Sequence, residues 1–166
     1  MLPAYLPNPV AALSGGGTPV DLGRNFSDGR RWFGDGKTYR GFFFGVAAGI
    51  VAGLLQIWAS GTYGLPFLPV QTFASVTLLA TGALLGDLVK SFFKRRLKKE
   101  RGEKWVLADM YDLVAGSLLL LLIADPAWIA VNMTLYSFIG ILILTPVLHR
   151  SVNIIGHRFK VKEVPW

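Results

Sequence analysis

From Gly41 to Val89 the chain carries one charged side chain, Asp87. One crossing of a hydrocarbon core takes about 20 apolar residues, so a run of this length predicts two crossings. The break falls at 61–69, GTYGLPFLP, where glycine and proline cluster. Spans follow at about 42–60 and 68–86, with Trp58 and Tyr63 at the break, where an aromatic belt lies. A third span reaches membrane length only if it covers about 106–124, which puts Asp109 and Asp112 in its first turns. Asp125-Pro126 ends it, because the residue before proline is biased out of the helix. A fourth span covers about 127–148. Gly41, Gly45, Gly49 and Gly53 recur every four residues, one smooth helix face for close approach by another helix.

Residues 1–13 are apolar but too short to cross alone, and they lack the basic start of a signal peptide. The pattern leaves them as the end of a further span, an interfacial piece or a re-entrant segment. The expected fold is therefore an all-α integral membrane protein, a single polytopic domain over residues 1–166. It is a bundle of four transmembrane helices plus a fifth, N-terminal one that is short or truncated. Loops 14–41 and 87–108 and the tail 149–166 lie between and after the spans.

Composition agrees with lipid as the solvent. The 166 residues are 52% hydrophobic and 16% charged, against about a quarter charged in soluble domains, and mean hydropathy is +0.47. The net charge of +7 would suggest nucleic acid in a soluble protein. Here it reports orientation, and no nucleic-acid partner is expected. The segments 14–41, 87–108 and 149–166 hold five, eight and four basic residues, which accounts for all seventeen. The positive-inside rule assigns them to the cytoplasmic face of a cell membrane. The absence of cysteine excludes disulfides and thiolate metal sites. The two histidines, His149 and His157, have no matching pair for zinc.

Two stretches carry candidate chemistry. In 14–41, glycines alternate with Arg24, Arg30, Arg31, Lys37, Arg40 and with Asp21, Asp28, Asp35. Such a loop brings backbone N–H groups and guanidinium forks to an anion, although a plain flexible loop has the same composition. Its end, Gly34-Asp35-Gly36-Lys37-Thr38, imitates a P-loop but has Arg31 where the motif needs glycine. In 86–112, Lys90, Lys94, Arg95, Arg96, Lys98 and Lys99 exceed what orientation requires, and acids stand at both hinges. A positive loop on anionic headgroups would explain the bases. Favourable charge at a helix N-terminus would explain Asp109 and Asp112, which share one face at i, i+3. Neither explains Asp87. Three carboxylates at the bundle mouth suit Mg²⁺, which takes one or two of them and substrate phosphates.

These residues resemble the CTP-dependent cytidylyltransferases that make CDP-activated lipids. Gly86-Asp87-Leu88-Val89-Lys90-Ser91-Phe92-Phe93-Lys94-Arg95 is similar to their G-D-L-x-E-S-x-x-K-R stretch. Asp109-Met110-Tyr111-Asp112 is similar to their D-R-x-D pair, and Gly36-Lys37-Thr38-Tyr39-Arg40-Gly41 to their G-K-T-x-E-G segment. Lys90 replaces an acid, Met110 replaces an arginine, and the His-Gly-Gly before the pair is missing. With the opening LPAYLPNP and the stretch GGGTPVDLGRNFSDGRR, the departures look like the archaeal branch, the CDP-archaeol synthases.

The resemblance implies a Mg²⁺-dependent nucleotidyltransferase of membrane phospholipid biosynthesis. Its partners would be CTP, an isoprenoid ether-lipid phosphate and the surrounding membrane lipids. Asp87, Asp109 and Asp112 would hold Mg²⁺. Lys94, Arg95 and Arg96 would neutralise the triphosphate and the leaving pyrophosphate, so that Asp87, Lys94, Arg95, Asp109 and Asp112 form the catalytic set. Arg30, Arg31, Lys37, Thr38, Lys90, Ser91 and Arg96 would bind substrates, and the isoprenoid chains would lie between helices along the glycine face. The competing readings are a lipid kinase, a synthase acting on ester lipids, and a non-catalytic scaffold on anionic lipid. A homo-oligomer is compatible with the pattern, which does not set the copy number.

Overall fold

Hydropathy falls at the first lysine of a span, but helix propensity does not, because Lys and Arg are good helix formers. The computed structural model, which describes residues 1–65, 68–99 and 103–160, shows the consequence. Its helices are α1 (Leu2–Tyr5), α2 (Pro7–Leu13), α3 (Tyr39–Tyr63), α4 (Phe73–Arg96), α5 (Val106–Ala124), α6 (Pro126–Asn132) and α7 (Leu135–Arg158). Four of them, α3, α4, α5 and α7, are long and apolar enough to cross a membrane. Among the described residues the remaining regular pairing is two isolated β-bridges, Pro19 with Thr38 and Asn25 with Arg31.

Three boundaries differ from the sequence expectation. The stretch 87–96, read as loop, is the last part of α4. Its basic end, Lys94, Arg95 and Arg96, lies in the final turn, where the helix dipole favours cations. The stretch 149–158, read as tail, is helical to Arg158. The span read at 127–148 is two helices: Asp125 caps α6, accepting from the Trp128 N–H at 3.0 Å, and a Thr134–Ser137 capping box restarts the chain as α7. Parts of the 61–69 break (66–67), of the basic loop (100–102) and of the tail (161–166) lie outside the described residues.

Residues 1–13 form α1 and α2, two short helices on which α3 and α4 pack. The glycine face of α3 makes this possible. A methyl group on Gly41, Gly45 or Gly49 would lie 2.8, 2.7 or 2.6 Å from the carbonyl oxygens of Ala11, Pro7 and Pro3. The face is thus filled by protein backbone, and the expectation that isoprenoid chains lie along it is overturned. A second close approach joins α4 to α5. A methyl group on Gly82 would be 2.7 Å from Gly116 O, and one on Gly86 would overlap Asp112 O. Leu79, Ala83, Leu113, Val114 and Leu121 build the core there, and buried Ser117 donates to Leu79 O at 2.7 Å. This tight α4–α5 contact sets Asp87 beside Asp112. Outside it, Phe43, Phe44, Leu54, Leu55, Leu119, Ile123, Ile143 and Leu144 are exposed, as lipid-facing side chains are.

Candidate active site

The loop before α3 is organised around one acid. Asp21, whose side chain is fully buried, accepts from the N–H groups of Gly23, Phe33 and Gly34 at 3.2, 3.0 and 2.9 Å. It also takes both forks of Arg31, Nε at 3.2 Å and Nη2 at 2.5 Å. Burial alone would push this carboxyl up. The Arg31 guanidinium and the three N–H groups outweigh burial and hold it well below the usual carboxylate range. Val20 N–H donates to Lys37 O at 2.8 Å and Tyr39 N–H to Thr18 O at 3.1 Å, which fixes the chain on both sides of Lys37. Thr38 then caps α3, its Oγ1 accepting from Gly41 N–H at 3.1 Å.

The basic end of α4 grips this loop. The Arg96 guanidinium stacks on Phe26 and Phe92, 4.8 and 4.7 Å from the ring centroids. It also pairs with Asp28 at 2.8 Å and donates to Arg31 O at 2.7 Å. Arg95 donates to Lys99 O at 2.8 Å and lies 3.5 Å from Phe33 O. The loop therefore has a tertiary reason for its shape, and two cations read as a phosphate clamp serve to hold it.

What the loop delivers is Lys37, whose ammonium pairs with Asp87 on α4. One turn on, Lys90 Nζ lies 3.1 Å from Asp87 Oδ1, 2.7 Å from Asp112 Oδ2 and 3.4 Å from Asp109 Oδ1. Lys94 closes the row, 2.7 Å from Asp109 Oδ1 and 2.8 Å from Glu103 O. Asp109 also accepts from the N–H of Trp105, just before its own helix, at 2.8 Å. Asp87 and Asp112 are each 8% exposed, a depth at which isolated charges are not tolerated. Three carboxylates and three ammonium groups balance one another.

The cluster opens into a cavity of about 270 Å³. Of the residues singled out in the sequence, Lys37, Thr38, Asp87, Lys90, Lys94, Asp109 and Asp112 line it. Arg30, Arg31, Ser91, Arg95 and Arg96 do not. Arg31 is committed to Asp21 and Asp35, and Arg30 is exposed on the loop. Ser91 is buried and donates to Asp87 O at 2.8 Å, a helix-interior bond. The wall opposite the acids was not foreseen. Tyr5 and Asn8 come from α1 and α2, and Thr145, His149 and Asn153 from α7. Tyr5 hydroxyl and Thr145 Oγ1 are hydrogen-bonded at 2.8 Å, which ties α1 to α7. The one sequence signal for this wall is that Asn8 and His149 interrupt or end apolar runs.

Among the described residues, no three His, Asp or Glu side chains close around one empty point as metal ligands do. The expected convergence of Asp87, Asp109 and Asp112 exists, but it closes on the Lys90 ammonium. The donor set still fits Mg²⁺, since it consists of hard carboxylate oxygens. Asp112 Oδ2, moreover, is buried with no hydrogen bond of regular geometry.

The sequence pattern of the family described as CarS-like, CDP-archaeol synthase, matches residues 1–166. The chain is 66% identical to the CDP-archaeol synthase of Methanoculleus marisnigri over 166 residues, 100% of both chains. It is 64% identical to that of Methanoregula boonei over the same coverage. Its fold is similar to a solved intramembrane enzyme of archaeal membrane-lipid biosynthesis, with a TM-score of 0.75 and 38% identity. That match covers 93% of this chain and 90% of the other.

Proposed function

The chain belongs to the CDP-archaeol synthase family, and from that premise we propose that the cavity between α2, α4, α5 and α7 is its active site. The enzyme is a cytidylyltransferase that activates an archaeal ether-lipid phosphate with CTP. An oxygen of the lipid phosphate attacks the α-phosphorus of CTP. The bond from that phosphorus to the bridging oxygen breaks, and pyrophosphate leaves with the electron pair. The nucleophile is already an anion, so no general base is required. Positioning and charge neutralisation carry most of the catalysis in such transfers.

The residues divide that work. Lys37, Lys90 and Lys94 supply ammonium groups to the triphosphate and to the departing pyrophosphate. Asp87, Asp109 and Asp112 would hold Mg²⁺, which when bound neutralises phosphate oxygens. The tight α4–α5 contact keeps Asp87 and Asp112 at a fixed spacing. Arg31, Arg95 and Arg96 act at one remove, by holding the loop that presents Lys37. The site faces the cytoplasm, where CTP is found; the fall of all seventeen basic residues in the segments 14–41, 87–108 and 149–166 supports this through the positive-inside rule.

The observation that carries this reading is the meeting of Asp87, Asp109 and Asp112 with Lys37, Lys90 and Lys94 in one membrane-end cavity. The test is product analysis with CTP, Mg²⁺ and an isoprenoid glycerol-ether phosphate. CDP-lipid and pyrophosphate are expected. Asp109→Asn and Asp112→Asn should each lower turnover at least about a hundredfold, the usual scale for loss of a transition-state charge contact. A doubly phosphorylated lipid with CDP as the by-product would mean a kinase. Unchanged activity in both variants would remove the acids from the mechanism.

A further inference from the structure

Lys90 occupies the point on which the three carboxylates converge. Its side chain is 15% exposed, and its ammonium is 2.7, 3.1 and 3.4 Å from Asp112, Asp87 and Asp109. The neighbouring cations have other duties: Lys37 pairs with Asp87, and Lys94 with Asp109 and Glu103 O. The buried Asp112 Oδ2 has no regular hydrogen bond, so the Lys90 ammonium compensates it. A dication arriving alone would have to expel this ammonium and leave it buried, unpaired and next to two added positive charges. A dication arriving with a triphosphate brings the oxygens that would receive the ammonium. Lysine suits such an exchange, being a point charge on a flexible four-carbon stem, and Lys90 lines the cavity.

We propose that Lys90 is the resting cation of the site. Its ammonium holds the position among Asp87, Asp109 and Asp112, and yields it when metal and nucleotide arrive together. The inference rests on the assignment of these acids to the metal. Two consequences follow from linkage: nucleotide raises metal affinity, and metal raises nucleotide affinity by the same factor. The nucleotide-free enzyme then binds free divalent ions poorly, and Lys90 passes from the acids to the phosphates at each binding event.

The test is Mn²⁺ binding to the detergent-solubilised enzyme, read by electron paramagnetic resonance against Mn²⁺–CTP in buffer. Wild type should bind Mn²⁺ at least about tenfold more tightly with CTP than without it. Without CTP, Lys90→Met should bind Mn²⁺ at least about tenfold more tightly than wild type. Lys90→Arg, which keeps the charge, should not. Adding Asp112→Asn to Lys90→Met should abolish the gain. Equal Asp112-dependent binding by wild type with and without CTP overturns the inference, and this comparison decides it even where Lys90→Met does not fold. So does a Lys90→Met protein that binds free Mn²⁺ no better than wild type while CTP still recruits the ion in an Asp112-dependent way. Both of those results leave the acids as the metal site. No Asp112-dependent Mn²⁺ in any form, CTP included, overturns the metal assignment and this inference with it.

Discussion

At the scale of single residues, the most consequential side chain outside the cavity is Asp21. It gathers three backbone N–H groups and Arg31, and so shapes the loop that presents Lys37. Asp21→Asn removes the charge and half the acceptor capacity, and should cost about 1–3 kcal/mol of loop stability. Protection of the 20–38 amides by hydrogen exchange would show it, along with a raised KM for CTP. The sign of the pH effect follows from a carboxyl held well below its usual range when folded. Its contribution is complete above the ordinary value of about 4 and is lost as pH falls below that. The gap between wild type and Asp21→Asn should stay constant from about pH 5 to 8 and close under acid. A gap that widened on acidification would mean that Asp21 is not the ionised centre of the loop. Asp21 and Arg31 stood out in the sequence as members of a Gly–Asp–Arg loop. Their mutual pairing did not, because nine residues of loop lie between them and only the folded backbone aims one at the other.

At the scale of elements, the α4–α5 contact is where packing becomes chemistry. Gly82, Gly86 and Gly116 let the two backbones meet, and the spacing of Asp87 and Asp112 depends on that. Gly86→Val would drive a side chain into Asp112 O. The expected result is a loss of about 1–3 kcal/mol or more in thermal unfolding and a larger proportional loss of CDP-lipid formation. Unchanged stability and turnover would show that the helices can separate without harm. The glycine repeat on α3 was legible because four residues recur at one period. The α4–α5 glycines were not, since Gly82, Gly86 and Gly116 sit on two helices and their complementarity has no one-dimensional signature. Element ends were legible only where local chemistry stops a helix. Asp125-Pro126 closes α5 at Ala124 in pattern and structure alike, whereas α4 runs through its lysines to Arg96 because charge does not end a helix.

At the scale of the whole molecule, the charge distribution makes a topological prediction, and the absence of cysteine makes it easy to test. Ser27, in the loop before α3, and Thr62, at the far end of α3, are both exposed. Ser27→Cys should react with a membrane-impermeant maleimide in inside-out vesicles and be protected in intact cells. Thr62→Cys should show the reverse. Labelling of both from one face would place the two ends of α3 on the same side and break the four-span arrangement.

Hydropathy and charge order along the chain determined what this protein is in outline: helical and membrane-spanning, with its bases gathered in three segments and acids at the hinges of the most basic of them. These are properties of composition and order, set by the cost of burying charge in lipid, and they survive without knowledge of any contact. The tertiary structure decided which charges meet. It committed Arg31, Arg95 and Arg96 to the loop, filled the glycine face of α3 with α1 and α2, brought His149 and Asn153 from the far end of the chain to the cavity wall, and set Lys90 among three carboxylates. Those outcomes depend on how closely backbones approach and where long side chains find their partners across elements, and a linear pattern does not contain either.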